Sequence, residues 1–464
     1  MPRLFPRIWF GLIVLWLTWV ALIVLLALSS PAMLQGLTVV TLARQLWSSL
    51  PGRWPPGNLS LASSLQAICD IDFYQRQSRE LGPVFKMLQF HRKVICVVGI
   101  ERARSLLGRH QDALQPCPLP FHRSLTGGFL RYMEPALYAR YGPAFRRAMS
   151  KQVMGEADAA LRTWTRTHLG KVLRDSLSLQ SALHLISEEV FFRKLLGLTA
   201  EHPLNAEFRE EYGRFCRQPY SARPSRATLA SLDRLCSLMT QLSQQGACGG
   251  VLAELGRHDP GLPDRICQEN LVYILRISTS NASEFLHWLL VELALHPAWW
   301  ERLRAEGGEV LDRLIQETLR LHQSEYLYRR VAAPFEFEGW HFPKGWLVRI
   351  CVRESHLDPK VFDEPLRFDP DRFLQRVDRE RYAPFGMFEH ACNGVPLNQL
   401  IARLVVEELM QLGQGVVESN AMPVRDFRHW SHWRPGCRLR FRPASVTDRA
   451  PDVPAAATGP GGSS

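Results

Sequence analysis

The sequence has few lysines and no closely spaced cysteines. Its ten cysteines are scattered over 464 residues, and no two lie closer than twelve positions apart, which argues against a CxxC zinc site or a small disulfide scaffold. A reducing compartment is therefore predicted. Only seven of the 56 basic residues are lysine, and the arginines behind the formal charge of +11 are spread along the chain. Because no basic helix or aromatic stripe accompanies this charge, nucleic-acid binding is not predicted.

Several common functional motifs are also missing. The sequence contains no internal repeat, no GxGxxG or Walker loop, no GxSxG elbow and no HExxH. Their absence argues against the usual nucleotide-binding, serine-hydrolase and zinc-protease classes. A composition of 46% hydrophobic and 22% charged residues is that of a mostly folded, globular body.

The longest hydrophobic run lies near the N-terminus. Residues 8–28 carry no charge, and a helix of that length spans about 31 Å, enough for a hydrocarbon core of about 30 Å. We therefore predict one membrane span, with a cleavable signal peptide as the alternative. Arg3 and Arg7 precede the run, so the positive-inside rule favours a body on the non-cytoplasmic side.

Composition divides the chain into four predicted parts. They are a membrane anchor at 1–30, a proline-rich linker at 31–58, one catalytic domain at 59–442 and a disordered tail at 443–464. Within the domain, β-rich runs around VFKML and VICVV predict a hairpin over 81–99 with its turn at 91–93, and short strands with glycine turns are predicted over 332–350. Helical periodicity covers most of 100–321 and returns over 395–413. The prediction is a mainly α fold with small β-sheets.

One loop has the composition of an iron-binding site. Cys392 is followed by Gly394 and by Pro396, which suits the first turn of a helix. A thiolate just before a helix is stabilised by free backbone N–H groups and by the helix dipole, so it can bind iron. The adjacent glycine would let a flat macrocycle approach the backbone. The alternative is a buried, unreactive cysteine.

Four segments together resemble the haem-thiolate cytochrome P450 monooxygenases, in the order and at the spacing of that family. They are Glu317–Arg320, similar to the ExxR helix; Phe368–Phe373, similar to the PERF-type segment; Phe385–Gly394, similar to the cysteine loop; and Trp288 with His296 and Pro297, similar to the end of the long distal helix. The resemblance covers roughly residues 50–440. It implies a P450-type helical fold, here with one N-terminal transmembrane helix, and a haem b cofactor.

The resemblance assigns roles around the cofactor. Cys392 would be the axial ligand of the iron, and Phe385, Gly386 and Gly394 would shape the loop that binds the haem. His390, two residues before the cysteine, would contact a haem carboxylate.

Further cationic groups are placed by the same resemblance. Arg329 would hold a haem carboxylate, with Arg330 as its substitute, because buried carboxylates need cationic or donor partners. Glu317 and Arg320 lie three residues apart on one helix face and would pair, and Arg372 would complete their network. The alternative for the pair is a surface ion pair of little energetic value.

The distal helix departs from the family pattern. Where the family has an acidic residue and a threonine for proton delivery, this sequence has Ser280 and Asn281. Asparagine forms hydrogen bonds but does not relay a proton as a hydroxyl group does. The distal catalytic candidates are therefore Ser280, Asn281 and Thr279, with Thr279 or Ser278 acting in a shifted register, and Glu284 is another possible proton donor.

The cysteine loop also departs from the pattern, since Phe388 replaces a glycine, so either the turn differs or Phe388 is strained. Arg376, Arg379 and Arg381 precede the loop on the face where the family receives electrons. They would steer an acidic redox protein, or they are simply solvated. A cytosolic reductase requires the catalytic domain in the cytosol, and we give that requirement more weight than the charge count.

Three functions are compatible with these residues. The first is a membrane-anchored monooxygenase that inserts oxygen into a hydrophobic small molecule, with electrons from a redox partner such as a reductase or a ferredoxin. The missing acid–threonine pair favours a second, a peroxide isomerase or dehydratase that needs no external electrons. The third is a haem-binding protein that no longer activates oxygen.

Overall fold

The computed structural model describes the chain from Trp54 onward, with gaps, so the predicted membrane anchor at 1–30 lies outside the described residues. Those residues are 54–70, 72–89, 92–117, 125–175, 179–219, 223–245, 249–322, 326–375, 377, 380–416 and 440–443. Residues 444–464 of the predicted tail also lie outside them. Among the helices that are described, none is both long and apolar enough to cross a bilayer.

The described residues form helices and short strands in the following order. The helices are α1 (Leu61–Cys69), α2 (Phe73–Leu81), α3 (Ile100–Arg109), α4 (Pro135–Ala148), α5 (Lys151–Met154), α6 (Ala159–Asp175), α7 (Leu179–Leu196), α8 (Asn205–Arg217), α9 (Arg226–Gln244), α10 (Gly250–His258), α11 (Arg265–Leu295), α12 (Ala298–Glu306), α13 (Gly308–His322), α14 (Val352–His356) and α15 (Val395–Leu412). The strands are β1 (Gly57–Asn58), β2 (Val84–Gln89), β3 (Arg92–Val98), β4 (Leu114–Pro116), β5 (Tyr326–Val331), β6 (Phe335–Phe337), β7 (Trp340–Phe342), β8 (Leu347–Cys351), β9 (Gly413–Val416) and β10 (Arg440–Pro443). A mainly α fold with small β-sheets is thereby confirmed.

The chain divides into two compact units. The described part of the first unit comprises residues 54–98, 106–115 and 329–350. Its main sheet has the strand order β1-β2-β3-β8-β5-β4, and β6 pairs with β7 in a separate two-stranded sheet. β1 lies inside the segment predicted as linker. Here Trp54 packs on Trp346, with the ring centroids 5.3 Å apart.

The predicted hairpin is confirmed, because β2 and β3 pair antiparallel with Val84 opposite Val97. Its turn was predicted wrongly at two positions. Pairing continues to Gln89 opposite Arg92, and both Arg92 and Lys93 are exposed strand residues rather than turn residues. A polar residue at the solvated end of a strand resembles turn chemistry in the sequence, which explains the error.

The second unit comprises residues 99–105 and 116–328 together with the chain from 351 onward. Its longest helix, α11, packs against α7, α9, α13 and α15. The helix begins where the Asp264 side chain accepts a hydrogen bond from the Cys267 N–H at 3.0 Å, and it ends at Leu295, just before His296 and Pro297. The predicted end of the long helix is thereby confirmed.

The other elements of this unit also follow the sequence pattern closely. Pro203 lies between α7 and α8, and Pro219 and Pro224 lie between α8 and α9, as the breaks in periodicity predict. The predicted helix over 395–413 is α15, which ends one residue earlier. With α11 at the centre and α15 starting beside the cysteine loop, the two elements expected to frame a site belong to one unit.

Candidate functional site

The cysteine loop folds so that its sulfur lies at the start of α15. The Cys392 N–H donates a hydrogen bond to the Phe385 carbonyl at 2.9 Å, which closes the loop. The Gly394 N–H points at the Cys392 Sγ at 3.3 Å, and Gly394 is the N-cap of α15 with Pro396 in its first turn. The backbone N–H and the positive end of the helix dipole both favour negative charge on the sulfur.

Two residues of the loop have left-handed backbone conformations. Gly386 has a φ of 81°, and a Cβ there would lie 3.2 Å from the guanidinium of Arg131, so a side chain would be both strained and crowded. Phe388 has a φ of 58°, which costs a residue with a Cβ about 1–2 kcal/mol. Its ring is 52% exposed and lies 5.7 Å from the guanidinium of Arg104. Phe388 therefore keeps the glycine-like turn and is strained.

The loop is held from one side by α4. The Tyr138 hydroxyl and the Arg146 guanidinium both donate to the Glu389 carbonyl, the second at 3.1 Å. Phe145 and Met149, the positions on α4 where the family has its tryptophan and arginine, are buried core residues. His390 lies in the short helical turn Phe388–His390.

A cavity lies between the cysteine loop and α11. The empty space, with open solvent at its mouth included, is about 910 Å³. Its walls come from α7, α11, α13, α15 and the cysteine loop, and they are mostly apolar. The lining residues are Phe191, Ser278, Asn281, Ala282, Glu284, Phe285, Trp288, Thr318, Leu319, His322, Pro384, Phe385, Cys392, Gly394 and Asn398. The thiol of Cys392 and the α11 side chain of Asn281 therefore share one cavity.

The three distal candidates are placed differently by the helix. Asn281 and the neighbouring Ser278 line the cavity. Ser280 is exposed and does not line it, and Thr279 is buried with its hydroxyl donating to the Leu275 carbonyl at 2.7 Å. Only Asn281 of the three faces the space in which a substrate or an oxygen molecule would bind.

The ExxR segment forms a buried charge network on α13. Arg320 binds both carboxylate oxygens of Glu317, at 2.7 and 2.8 Å, and neither side chain is exposed. Arg372 donates to the same carboxylate at 3.1 Å, and so does the backbone N–H of Asp369 at 2.9 Å. The remaining arms of Arg320 reach backbone carbonyls, including that of His356 at 3.0 Å. Glu317, Arg320 and Arg372, which the resemblance places in one network, therefore do form one network in the structure.

The remaining cationic candidates lie elsewhere. Arg329 is on β5 in the first unit and is buried, whereas Arg330 is exposed and donates to the Gln115 side chain at 2.8 Å. Of the arginines before the loop, Arg381 is exposed, and those at 376 and 379 lie outside the described residues.

Several cavity residues were missed at the level of sequence. Thr318 and His322 lie four residues apart on α13, and Leu319 lies between them. Residues at i and i+4 share a helix face. Because the ExxR match fixes the positions of Glu317 and Arg320 on α13, it already implied the face on which Thr318 and His322 lie. Phe191 on α7 and Asn398 on α15 had no comparable signal.

The donor set suits a cofactor that brings its own equatorial ligands. Within the described part of the chain, no group of three or more His, Cys, Asp or Glu side chains is arranged to hold a metal ion. A zinc site needs three or four protein ligands, whereas haem iron needs one or two axial ones. A lone thiolate donor on a largely apolar cavity therefore fits an iron porphyrin.

Comparison with known proteins agrees with this geometry. The cytochrome P450 family model matches residues 261–412. A putative cytochrome P450 120 of Synechocystis is 24% identical over 408 residues, covering 77% of this chain and 89% of that protein. Abscisic acid 8'-hydroxylase 3 of Oryza sativa subsp. japonica is 23% identical over 414 residues, covering 77% of this chain and 80% of that protein. The solved structure of retinoic acid-bound cyanobacterial CYP120A1 is similar with a TM-score of 0.71 and 20% identity, covering 84% of this chain and 99% of that one.

The structure has the fold of the cytochrome P450 proteins, and Cys392 lines a cavity within it. The chain is similar to cytochrome P450 proteins over about three quarters of its length, and the family model itself matches residues 261–412. The predicted enzyme class, a P450-type oxidoreductase of the monooxygenase kind, is confirmed by these relatives, and a haem cofactor follows from the family.

Proposed function

We propose that this protein is a haem b-dependent monooxygenase that inserts oxygen into a hydrophobic small molecule with electrons from a redox partner. One observation carries the proposal: the Cys392 thiol and the α11 residue Asn281 border the same cavity. A candidate ligand for iron and a residue that would contact the substrate therefore border the same cavity.

The residues of the cavity have different roles in the proposed reaction. Cys392 would hold the iron through its sulfur, and the Gly394 N–H, 3.3 Å from Sγ, would stabilise the negative charge on that sulfur. Haem b, when bound, supplies the activation of oxygen. Phe191 and Phe285 present aromatic walls that exclude water and hold an apolar substrate, and Asn281 orients a polar group by hydrogen bonding.

The substrate class to test first comes from the relatives. One relative is named for hydroxylation of abscisic acid, and a similar structure holds retinoic acid. Both molecules are isoprenoid carboxylic acids with an apolar body. A mostly apolar cavity with a few polar groups suits such a molecule.

The membrane and partner assignments are part of the same proposal. The apolar run at 8–28 anchors the protein, and the catalytic domain lies on the cytosolic side, where reductases are available. The exposed Arg381 before the cysteine loop contributes positive charge that steers an acidic redox protein.

The ligand is tested with the difference spectrum of the reduced, carbon monoxide-treated protein. We expect the red-shifted band of a thiolate-bound haem, its loss in Cys392→Ala, and its retention in the control Cys69→Ala, which removes an exposed cysteine far along the chain. An unchanged band in Cys392→Ala would refute the ligand assignment.

The reaction is tested by reductant consumption. A monooxygenase consumes NAD(P)H and oxygen in a substrate-dependent way when a reductase or ferredoxin is added. Haem binding without reduction by any partner and without reaction with peroxide would instead identify a haem-binding protein.

A second candidate, a peroxide isomerase or dehydratase, is favoured by one observation. The distal residue that faces the cavity is Asn281, which forms hydrogen bonds but is not a proton relay, and Ser280 does not line the cavity. Turnover of a lipid hydroperoxide without any reductant would support this reaction and contradict the monooxygenase.

A further inference from the structure

A buried carboxylate lies between two histidines at the C-terminal end of α11. Glu292 Oε1 lies 2.5 Å from the Nε2 of His322, the last residue of α13. Glu292 Oε2 lies 3.3 Å from the Nδ1 of His296, which follows α11. The Glu292 side chain is 9% exposed, that of His322 16% and that of His296 39%. The three groups therefore form a chain that starts at the surface and leads inward.

The inner end of this chain reaches the candidate site. His322 lines the cavity that Cys392 and Asn281 also border. Its ring stacks on Trp288, another lining residue, with the centroids 3.9 Å apart and the planes 9° from parallel. The aromatic face fixes the ring orientation and stabilises a positive charge on it.

The electrostatics favour an ionised carboxylate in the middle. Burial acts to raise the pKa of Glu292, but hydrogen bonds from His296 and His322 lower it to about 2. The same contact raises the pKa of His296. Of the other charged groups nearby, Glu317 and Arg320 on α13 are paired with each other.

The remaining buried histidine of this region of α11 does not compete for the proton. His287 is buried, and desolvation, followed by the nearby His184 of α7, lowers its pKa to about 3, so it stays neutral. On the cavity side, Glu284 is a carboxylate that lines the space, whereas Glu292 does not line it.

We propose that His296, Glu292 and His322 form a proton route from the surface to the cavity and that His322 is its terminal proton-transfer residue. The proposal rests on the monooxygenase function proposed above. Insertion of one oxygen atom of O₂ into a C–H bond, with reduction of the other to water, consumes two electrons and two protons. Of the residues expected to handle those protons, Ser280 and Thr279 do not line the cavity, whereas Ser278, Asn281 and Glu284 do.

The atoms of the route are given by two contacts of the Glu292 carboxylate, an ion-pair contact of 3.3 Å with Nδ1 of His296 and a hydrogen bond of 2.5 Å with Nε2 of His322. Nδ1 of His296 also lies 3.0 Å from the Glu292 backbone carbonyl. A proton taken from water by His296 passes from its Nδ1 to the Glu292 carboxylate and then to Nε2 of His322. An imidazole accepts a proton on one nitrogen and releases one from the other, so Nδ1 of His322 is the atom that hands a proton on. Each N–H or O–H bond that breaks is replaced by one that forms, and no group is consumed.

The first test measures the proton itself and not the activity. In the carbon monoxide-bound, reduced holoenzyme labelled with ¹⁵N-histidine, we expect a downfield Nε2–H resonance from His322 held by Glu292. Glu292→Gln removes that resonance and lowers the pKa of His296. His296→Asn, a change at a partly exposed side chain that keeps the fold, slows solvent exchange of the His322 proton about tenfold or more. Exchange at the wild-type rate in His296→Asn would overturn the route.

The second test follows electrons and protons during turnover with a redox partner. We expect His322→Gln and His296→Asn to divert consumed NAD(P)H into hydrogen peroxide and to raise the solvent isotope effect on product formation. The matched control is His168→Gln, since His168 also stacks on a tryptophan, Trp164, but lies outside the cavity lining. Coupling equal to that of wild type in both variants would refute the role of His322 and leave the monooxygenase proposal intact. A wild-type protein that oxygenates nothing with any partner would instead refute the monooxygenase itself and the purpose assigned to the route.

Discussion

The buried pair on α13 provides a strong quantitative test of the fold. Glu317→Gln keeps the size of the side chain and removes its charge. It leaves Arg320, which has no exposed surface, without a counter-charge, and it weakens the acceptor for Arg372 and for the Asp369 N–H. Breaking a buried ion pair by removing one partner costs about 3–5 kcal/mol. Since whole domains are stable by only about 5–15 kcal/mol, the variant should lose a large part of its stability.

An exposed ion pair with the same spacing serves as the control within the same protein. Glu301 and Arg304 on α12 have the same i, i+3 order at 3.3 Å, but the Glu301 side chain is 62% exposed. Glu301→Gln should cost less than about 0.5 kcal/mol, because an exposed pair is well screened. The assay is urea unfolding followed by far-ultraviolet circular dichroism.

The result that would refute this reasoning is a loss of less than about 1 kcal/mol for Glu317→Gln, or equal losses in the two variants. A double replacement, Glu317→Leu with Arg320→Met, separates charge from packing. Removing both charges together should recover much of the loss, because apolar residues of similar volume replace a buried pair at little cost. If the double variant is as unstable as Glu317→Gln, the loss comes from lost contacts rather than from an unpaired charge.

Three further predictions follow from single groups. Burial lowers the pKa of His356 and of His287 to about 3, whereas a histidine in the unfolded chain titrates near pH 6.5. Because the unfolded chain takes up protons first, the free energy of unfolding should fall as the pH drops below about 6.5, by about 2 kcal/mol per histidine at pH 5. A urea midpoint that stays constant between pH 7 and 5 would contradict this. Phe388→Gly should be more stable than Phe388→Ala by about 1 kcal/mol, since only glycine relieves the positive φ, and an alanine variant of equal stability would show that the turn is not strained. Asn281→Ala should change the affinity for a cavity ligand measured by spectral titration, whereas Ser280→Ala should not, and equal effects would place both side chains at the cavity.

The fold was largely predictable because its signals are local. The caps, proline breaks and period of apolar residues place α11 and α15 correctly, and the two β-rich runs within residues 84–98 place the hairpin. β4 was not predicted, since a three-residue strand depends on pairing with a neighbour rather than on its own pattern. Networks such as Glu317 with Arg372 cross 55 positions, and only the resemblance to a family brought those residues together.

The distal residues show most clearly where a family comparison and helix geometry diverge. On α11 the lining positions are 278, 281, 282, 284, 285 and 288, a spacing that marks one broad face of a helix. Counting back from Trp288 by three or four residues at a time selects Glu284, Asn281 and Ser278, so these lining positions could be inferred from the sequence. The serine that replaces the acidic residue is exposed and does not line the cavity. On α11, Ser278 and Glu284 do line it, and the wall formed by α13 carries His322, which is hydrogen-bonded to Glu292. The proposed route through His322 therefore does not depend on Ser280, and Ser280→Ala should leave the coupling of NAD(P)H consumption to product formation unchanged.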